Sequence, residues 1–357
     1  MSKVIVGMSG GVDSAVCAYL LKEQGHEVIG VTLRTWVSDE GEEGRCCEID
    51  DARRVAGMIG ITYHAFNCLS EFKKYVTDPF VEEYLKGLTP NPCVVCNRAI
   101  KWERMLYHAD VLGADYVATG HYAYVVKKDN GRYSVKTARH AAKDQTYMLY
   151  RLGQDQLART LMPLGDYSKD EVRSIALKAG IPVADKPDSQ EICFVPDGHY
   201  TDYIRANTDR ELPGEGDFVD EDGNVLGRHK GIFHYTVGQR KGLGLPLGYP
   251  AYVKEIDVTK NQIVIGDEAS VMTDVIVCDR VNYMGIEGLE PGGKLKARTK
   301  IRYHHKAAPS VVSGIDEDHV KITFEEPVKA PSPGQSAVFY DDEDCVIGGG
   351  TILRSRI

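Results

Sequence analysis

The sequence predicts an α/β domain on a parallel sheet in its first half, followed by two β-rich parts. Three observations lead there. Short β-branched runs alternate with helical stretches up to about Tyr203, a glycine-rich turn separates the first strand from the first helix, and helical periodicity fades after Tyr203. Strands alternating with helices pack as a doubly wound sheet whose ligands gather at the carboxyl ends of the strands.

In chain order, Lys3–Gly7 (KVIVG) is the first strand, Asp13–Gln24 the first helix and Glu27–Leu33 (EVIGVTL) the next strand. A second helix fits Asp50–Gly57, closed by Gly60, and Asp115–Thr119 (DYVAT) is a strand ending at Gly120-His121. Ser168 followed by Glu171 is a capping box that starts a helix over Ser168–Ala179, and Gly180 stops it. Beyond Tyr203, turn pairs such as Asp222-Gly223 and alternating runs such as Gln262–Gly266 indicate strands. Pro213-Gly214 marks one boundary and Gly266–Met272 a weaker one, which places the domains at 1–205, 206–269 and 270–357.

The 357 residues suit two or three domains at roughly 150 residues each. A 43% hydrophobic, 27% charged composition excludes a mainly disordered chain. No apolar run approaches the ~18 residues of a membrane span, so no membrane partner is expected. The N-terminus lacks a basic n-region and a small-residue cleavage site, and it reads as a strand. Nine scattered cysteines in a chain of this size fit a reducing compartment, which points to the cytoplasm.

A net charge of −9 argues by itself against nucleic acid. The charge is uneven, however: Asp202–Asp222 holds eight acids against two arginines, whereas Lys294–Lys306 holds six Lys or Arg and no acid. Lys294, Lys296, Arg298, Lys300 and Arg302 recur at every second residue, which in a strand aims them to one face. A solvated face would look the same; five cations without an acid favour phosphate binding. His229, Lys230, Arg240 and Lys241 form a second candidate patch.

Gly7-Met8-Ser9-Gly10-Gly11-Val12-Asp13-Ser14 joins the first strand to the first helix. Its glycines let backbone N–H groups close on an anion, and the helix N-terminus adds partial positive charge there. Ser9 and Ser14 add hydroxyl donors, while Asp13 suits Mg²⁺ or the helix cap. No GxxxxGK[ST] is present, which excludes a kinase- or GTPase-type loop. SGGVDS after an apolar strand resembles instead the PP-loop of ATP pyrophosphatases, which grip the β,γ-pyrophosphate and transfer AMP.

Cys93 and Cys96 form a CxxC in a proline-rich loop, which half-matches a zinc site but lacks a second pair at suitable spacing. Cys193, in DSQEICF, lies in a polar loop that suits a reactive thiol, whereas Cys17 and Cys278 sit in apolar runs and read as core. The adjacent Cys46 and Cys47, the other close pair, are poorly spaced to share one metal, and no metal ligand set is expected.

GMSGGVDS, NPCVVCNRAIKW, TGHYA, KDQTYML, DSQEICFV, HYTVGQRKGLGL and SPGQSAVFY together resemble the bacterial tRNA-specific 2-thiouridylases (the MnmA/TrmU family), in the expected order along the whole chain. The resemblance implies an adenine nucleotide α-hydrolase-like PP-loop domain, a small middle domain and a C-terminal β-barrel. It implies ATP-dependent 2-thiolation of the wobble uridine in the tRNA anticodon stem-loop, with ATP and Mg²⁺ and no permanently bound cofactor. Gly7, Met8, Ser9, Gly10, Gly11, Val12, Asp13 and Ser14, with Leu33 and Gly120, would bind ATP. Cys193 would carry a persulfide supplied by a cysteine desulfurase or sulfur relay. Cys96 would be its partner, as nucleophile or as the thiol that releases sulfide through a transient Cys96–Cys193 disulfide. Asn91, Pro92 and Cys93 would lie against the target base, with His121 and Gln335 around it. Lys143, Asp144 and Gln145, and Arg302 and Tyr303, would meet the tRNA. Many relatives carry Asp where this chain has Cys93, and a thiol of ordinary pKa ~8.5 is a poor substitute for a carboxylate in proton transfer.

These residues suit the chemistry. The uracil 2-carbonyl has no usable leaving group until adenylation supplies AMP, and a persulfide then delivers sulfur that a second thiol resolves. A PP-loop ligase acting on a small molecule would leave the thiol pair and the basic strand without a use. A non-enzymatic RNA-binding module would leave SGGVDS without one.

Overall fold

The computed structural model describes residues 1–37, 48–184, 192–195 and 198–354. The chain divides into two compact units. One comprises Met1–Thr77, Pro92–His199 and Glu343–Val346, the other Asp78–Asn91, Tyr200–Asp342 and Ile347–Ile357. Cys46, Cys47 and the Asp188–Glu191 part of DSQEICFV lie outside the described residues.

In the first unit, β1 (Lys3–Gly7), β2 (Glu27–Arg34), β3 (Thr62–Asn67), β4 (Tyr116–Ala118) and β7 (Thr160–Leu161) form one sheet in the order β3-β2-β1-β4-β7. Every pairing in it is parallel. The order reverses between β1 and β4, and such a switch point opens a crevice at the strand ends. Val4 and Val6 of β1 face a core shared with α1 (Val12–Glu23), α2 (Ile49–Ile59) and the helix Lys169–Lys178, through Val16, Cys17, Val55 and Val172. The intervening Ile5 points to the opposite face, where the helix Glu103–Leu112 lies against β1 and β4. A hairpin of β5 (Ala123–Lys127) and β6 (Tyr133–Thr137) completes the strands of this unit.

Local signals set the helix limits. Ser168 Oγ accepts from Glu171 N (3.2 Å) while Glu171 returns a bond to Ser168 N (2.7 Å), which is the expected capping box. Gly60 closes α2 in the left-handed region (φ 74°), which a glycine enters without strain. Sequence periodicity did not reveal the helical run Pro92–Leu112, whose middle, Asn97–Trp102, is a π-helical turn. Such turns break the 3.6 period and recur at functional sites.

The second unit holds two β structures. β8 (Gly216–Val219), β9 (Val225–His229), β10 (Tyr252–Asp257) and β11 (Gln262–Gly266) form a mixed sheet in the order β10-β11-β8-β9, closed over Phe218, Val253 and Ile263. β12 (Met272–Tyr283), β13 (Lys294–Lys300), β14 (Ala308–Gly314), β15 (Val320–Lys329), β16 (Ser336–Tyr340) and β17 (Val346–Ile352) close into a six-stranded barrel. Closure satisfies every strand edge. On β13 the expected alternation holds: Lys294 and Lys296 are exposed, while Thr299 is buried and bonds Ser310 at 2.7 Å. Arg298 and Lys300 are half-buried; Arg298 donates to the Asp341 carbonyl at 2.6 Å and the Lys300 ammonium sits over the Tyr340 ring.

Candidate active site

The glycine-rich turn sits at the carboxyl end of β1, beside the switch point. Thr32 Oγ1 donates to the Met8 carbonyl (2.6 Å) and Met8 N donates to Val31 O (2.8 Å), which ties the start of the loop to β2. The side chains of Met8 and Val12 belong to the core, so any part they take in ligand binding runs through their backbone. Ser14 Oγ accepts from Ser9 N (3.2 Å) and donates to Gly11 O (3.0 Å), which folds the loop on itself. The first-turn N–H groups of α1 have no helical acceptor and are the natural anion donors. Gly10 adopts φ 81°, open to glycine. At Gly120 a Cβ would come within 2.7 Å of Asp13 backbone, so only glycine lets the end of β4 pass this close to the loop.

Asp13 does not take the expected capping role. Gly11 is the N-cap and receives no side-chain cap. The Asp13 carboxylate instead accepts from Lys169 Nζ at 2.8 Å on both oxygens and from the Tyr122 hydroxyl at 2.7 Å. Lys169 has only 11% of its side chain exposed, so this ion pair is shielded from solvent. Among the described residues no three His, Cys, Asp or Glu side chains converge as a metal site, for zinc beside the CxxC or for magnesium beside Asp13. The donors at the loop suit phosphate, so magnesium fits here as part of its complex with a nucleotide.

The thiols sort by environment. Cys17 and Cys278 are fully buried, and desolvation pushes both thiols far above their ordinary range, as befits core residues. Cys93 is exposed, and Cys96 and Cys193 are half-buried. Cys93 and Cys96 stand three residues apart in the helical segment Pro92–Cys96, on one side of it. Asn97, 3% exposed, anchors the turn by donating to Met148 O at 3.0 Å. Pro92–Cys96 packs on the turn Lys73–Thr77. Cys193 is pinned next door: Phe194, 1% exposed, packs edge-on against Phe72 with ring centroids 5.6 Å apart. One scaffold, Phe72–Thr77, therefore carries both segments.

Several expected RNA-facing side chains are spent inside the protein, which corrects how those segments can work. Asp144 is 5% exposed and accepts from Thr146 Oγ1 at 2.7 Å. Gln145 exchanges two bonds with the Tyr122 backbone. Lys143 of the same turn is half-buried. Arg302 donates to the carbonyls of Val237 (3.1 Å) and Ala330 (2.5 Å) and to Ser332 Oγ (2.7 Å), leaving Tyr303 as the half-buried neighbour. Gln335 donates to the carbonyls of Thr89 (2.9 Å) and Pro90 (3.2 Å). His229 is 1% exposed, bonded to the Asn261 carbonyl and to Gly231 N, so it drops out of the second basic patch; Lys230, Arg240 and Lys241 remain exposed. His121 bonds Thr119 Oγ1 at 2.8 Å and packs by Trp102; desolvation first, then Lys101, holds its pKa well below the ordinary 6.5. It is a neutral donor–acceptor, not a cation for phosphate.

Comparison with known proteins agrees with this architecture. The family model described as tRNA methyl transferase HUP domain matches residues 2–197, its PRC-barrel domain 204–267, and the aminomethyltransferase beta-barrel domain 273–352. A tRNA-specific 2-thiouridylase MnmA of Lachnoclostridium phytofermentans is 52% identical over 99% of this chain and 100% of its own. Its namesake in Clostridioides difficile is 48% identical over 99% and 98%. The chain belongs to the tRNA-specific 2-thiouridylase family. Two of the model descriptions speak of methyl transfer, but likeness at about half identity over the full length is the more specific finding.

Two features of this 2-thiouridylase fold had escaped sequence reading. Lys169 stands at the first position of a helix, where a cation opposes the macrodipole. That misplacement was a signal that its charge is used elsewhere. Tyr122 lay in view within TGHYA, but its partner Asp13 is 109 residues away.

Proposed function

We propose that this protein 2-thiolates the wobble uridine of tRNA, with the anchoring of the Cys96 and Cys193 segments on one scaffold beside a PP-loop unit as the observation that carries the reading. The enzyme is a tRNA-uridine sulfurtransferase that uses ATP. The loop Gly7–Ser14, with Leu33 and Gly120, takes the nucleotide, and its backbone donors hold the departing pyrophosphate. Magnesium neutralises phosphate charge when bound with ATP. The uridine 2-oxygen attacks the α-phosphate and releases pyrophosphate. The terminal sulfur of a Cys193 persulfide then adds at C2 and expels AMP. Cys96 thiolate attacks Cys193 Sγ, which breaks the bond to the transferred sulfur and leaves a Cys96–Cys193 disulfide for an external thiol to reduce. A cysteine desulfurase or relay protein supplies the sulfur.

Asn91–Cys93 and His121 face the base in this reading, Lys143 and Tyr303 serve the RNA, and the domains run 1–205, 206–269 and 270–357. Among the described residues no helix is long and apolar enough to cross a membrane; the working compartment proposed is the cytoplasm. Lys294 and Lys296 are the exposed phosphate contacts. Changing both to Ala should lower the salt slope of tRNA binding by about 1.4 to 1.8; an unchanged slope assigns the strand to solvent. The function itself is tested by nucleoside mass spectrometry of tRNA incubated with protein, ATP, Mg²⁺ and a sulfur source. Thiouridine that forms only with ATP is expected, and its absence rejects the reading.

A further inference from the structure

A carboxylate inside an anion-binding loop works against the loop. Asp13 stands in the first turn of α1, where the helix N-terminus gathers partial positive charge for phosphate. Lys169 compensates its charge with contacts of 2.8 Å to both oxygens, and the Tyr122 hydroxyl fixes its direction by donating to Oδ1 at 2.7 Å. Tyr122 is 2% exposed and packs into the core beneath α1. In a close-packed interior its hydroxyl goes where its backbone goes.

That backbone is held by the turn after the β5–β6 hairpin. Tyr122 N donates to Gln145 Oε1 (3.0 Å), and Gln145 N donates to Tyr122 O (3.1 Å). The turn itself is stiff: Asp144 accepts from Thr146 Oγ1 at 2.7 Å, Thr146 and Tyr147 are fully buried, and Met148 N donates to Gln145 O at 3.0 Å. Tyr122 therefore joins the Lys143–Met148 turn to the phosphate loop. The same turn reaches the thiol segment by a different route, since Met148 O accepts from Asn97 beside Cys96. All of these residues belong to the first compact unit.

We propose that Tyr122 is a positioning residue that couples RNA binding to nucleotide activation: tRNA seated on the Lys143–Gln145 turn fixes Tyr122, whose hydroxyl sets the Asp13 carboxylate in the phosphate loop. This rests on the thiolation reading above, which gives that turn to the RNA. Adenylation then waits for the base that receives AMP. Linkage makes the effect reciprocal, so nucleotide strengthens RNA binding by the same factor as RNA strengthens nucleotide binding. The route through Asn97 does not pass Tyr122, so loading of sulfur on Cys193 is independent of it.

The test uses the full chain with Tyr122→Phe, which keeps the buried ring and removes the hydroxyl. Tyr124→Phe is the control, because that hydroxyl is spent on the exposed Asp166 at 2.7 Å. Four quantities are read: the Kd of a non-hydrolysable ATP analogue with and without saturating tRNA, the tRNA Kd with and without the analogue, single-turnover pyrophosphate release, and amide exchange at Gln145. In the wild type and in Tyr124→Phe each ligand should tighten the other about 5-fold or more, the lower end of what coupled sites show. The analogue alone should slow exchange at Gln145. In Tyr122→Phe each ligand alone should bind within about two-fold of wild type, the coupling should fall below about two-fold, and Gln145 exchange should ignore the analogue. Pyrophosphate release at saturating tRNA should slow at least ~10-fold, while label uptake on Cys193 is unchanged. Coupling retained in Tyr122→Phe overturns the proposal, even if both separate affinities fall, because the hydroxyl is then only structural. A wild type without coupling also overturns it. A wild type that binds no tRNA or makes no thiouridine rejects the functional reading instead, and the exchange response to the analogue still decides the Tyr122 link.

Discussion

The phosphate loop and the thiol region are built on opposite plans. Eight consecutive residues make the loop, and only its finishing contacts come from afar: Gly120, Tyr122 and Lys169 around Asp13. The thiol region has no such continuous core. Cys96 and Cys193 belong to separate segments that both pack on Phe72–Thr77. A nucleotide needs several donors at fixed spacing, which a strand–turn–helix supplies locally. Sulfur exchange needs two thiols that meet, part and meet again, which two independently anchored segments permit. The loop is therefore expected to be rigid without substrate, and the thiol pair to depend on long-range packing.

The largest effects expected fall on the thiols. Cys193→Ser should hold no radiolabelled sulfur after exposure to a desulfurase and should make no thiouridine. Cys96→Ser should take up label on Cys193 and fail to pass it on in multiple turnover. Both should still bind ATP and tRNA, and Cys93→Ser should keep substantial activity because the scheme gives Cys93 no sulfur-carrying step. Label retained on Cys193→Ser with normal thiolation would dismantle the scheme.

Next come Asp13 and Lys169. Asp13→Ala should abolish adenylation and leave tRNA affinity within a few-fold. Lys169→Ala should lower kcat/KM for ATP on the order of 10²-fold, because the loop loses the cation that orients its carboxylate. Removing both should cost much less than the product of the single losses, since one ion pair is counted twice. Multiplicative losses in pyrophosphate-release assays would show that the two residues act separately.

The smallest effect concerns pH. His121 has a folded-state pKa depressed below 6.5 by burial, so the unfolded chain binds its proton first as pH falls. Its stabilising contribution is complete above about pH 6.5 and is lost below it. His121→Gln should therefore narrow the gap between urea midpoints measured at pH 7.5 and 5.5; an equal gap in both proteins would place the acid sensitivity on other histidines.

How much was legible follows from where the partners lie. SGGVDS, the Ser168–Glu171 capping box and the period-two cations of β13 are patterns within a dozen residues, and backbone geometry turns each directly into structure. Cys17 and Cys278 were identifiable as core from their apolar neighbours alone. Asp13 was placed at the loop, but its partner Lys169 stayed hidden because it arrives from 156 residues away. The Pro92–Leu112 helix was hidden by a prolyl start and a π turn that breaks the period.

The sequence by itself determined which backbone turns tightly, which faces are apolar and which side chains carry charge or a thiol, because these depend on local sterics and on residue chemistry. Only the tertiary structure decided which polar side chains remain available. A buried polar group must find a partner, and for Asp144, Arg302 and Gln335 those partners are protein groups. The donors of Arg302 and Gln335 end on backbone carbonyls up to 246 residues distant in the chain. A motif such as KDQ or SPGQ names the residues of a working segment; the fold decides which of them face outward and which hold it in place.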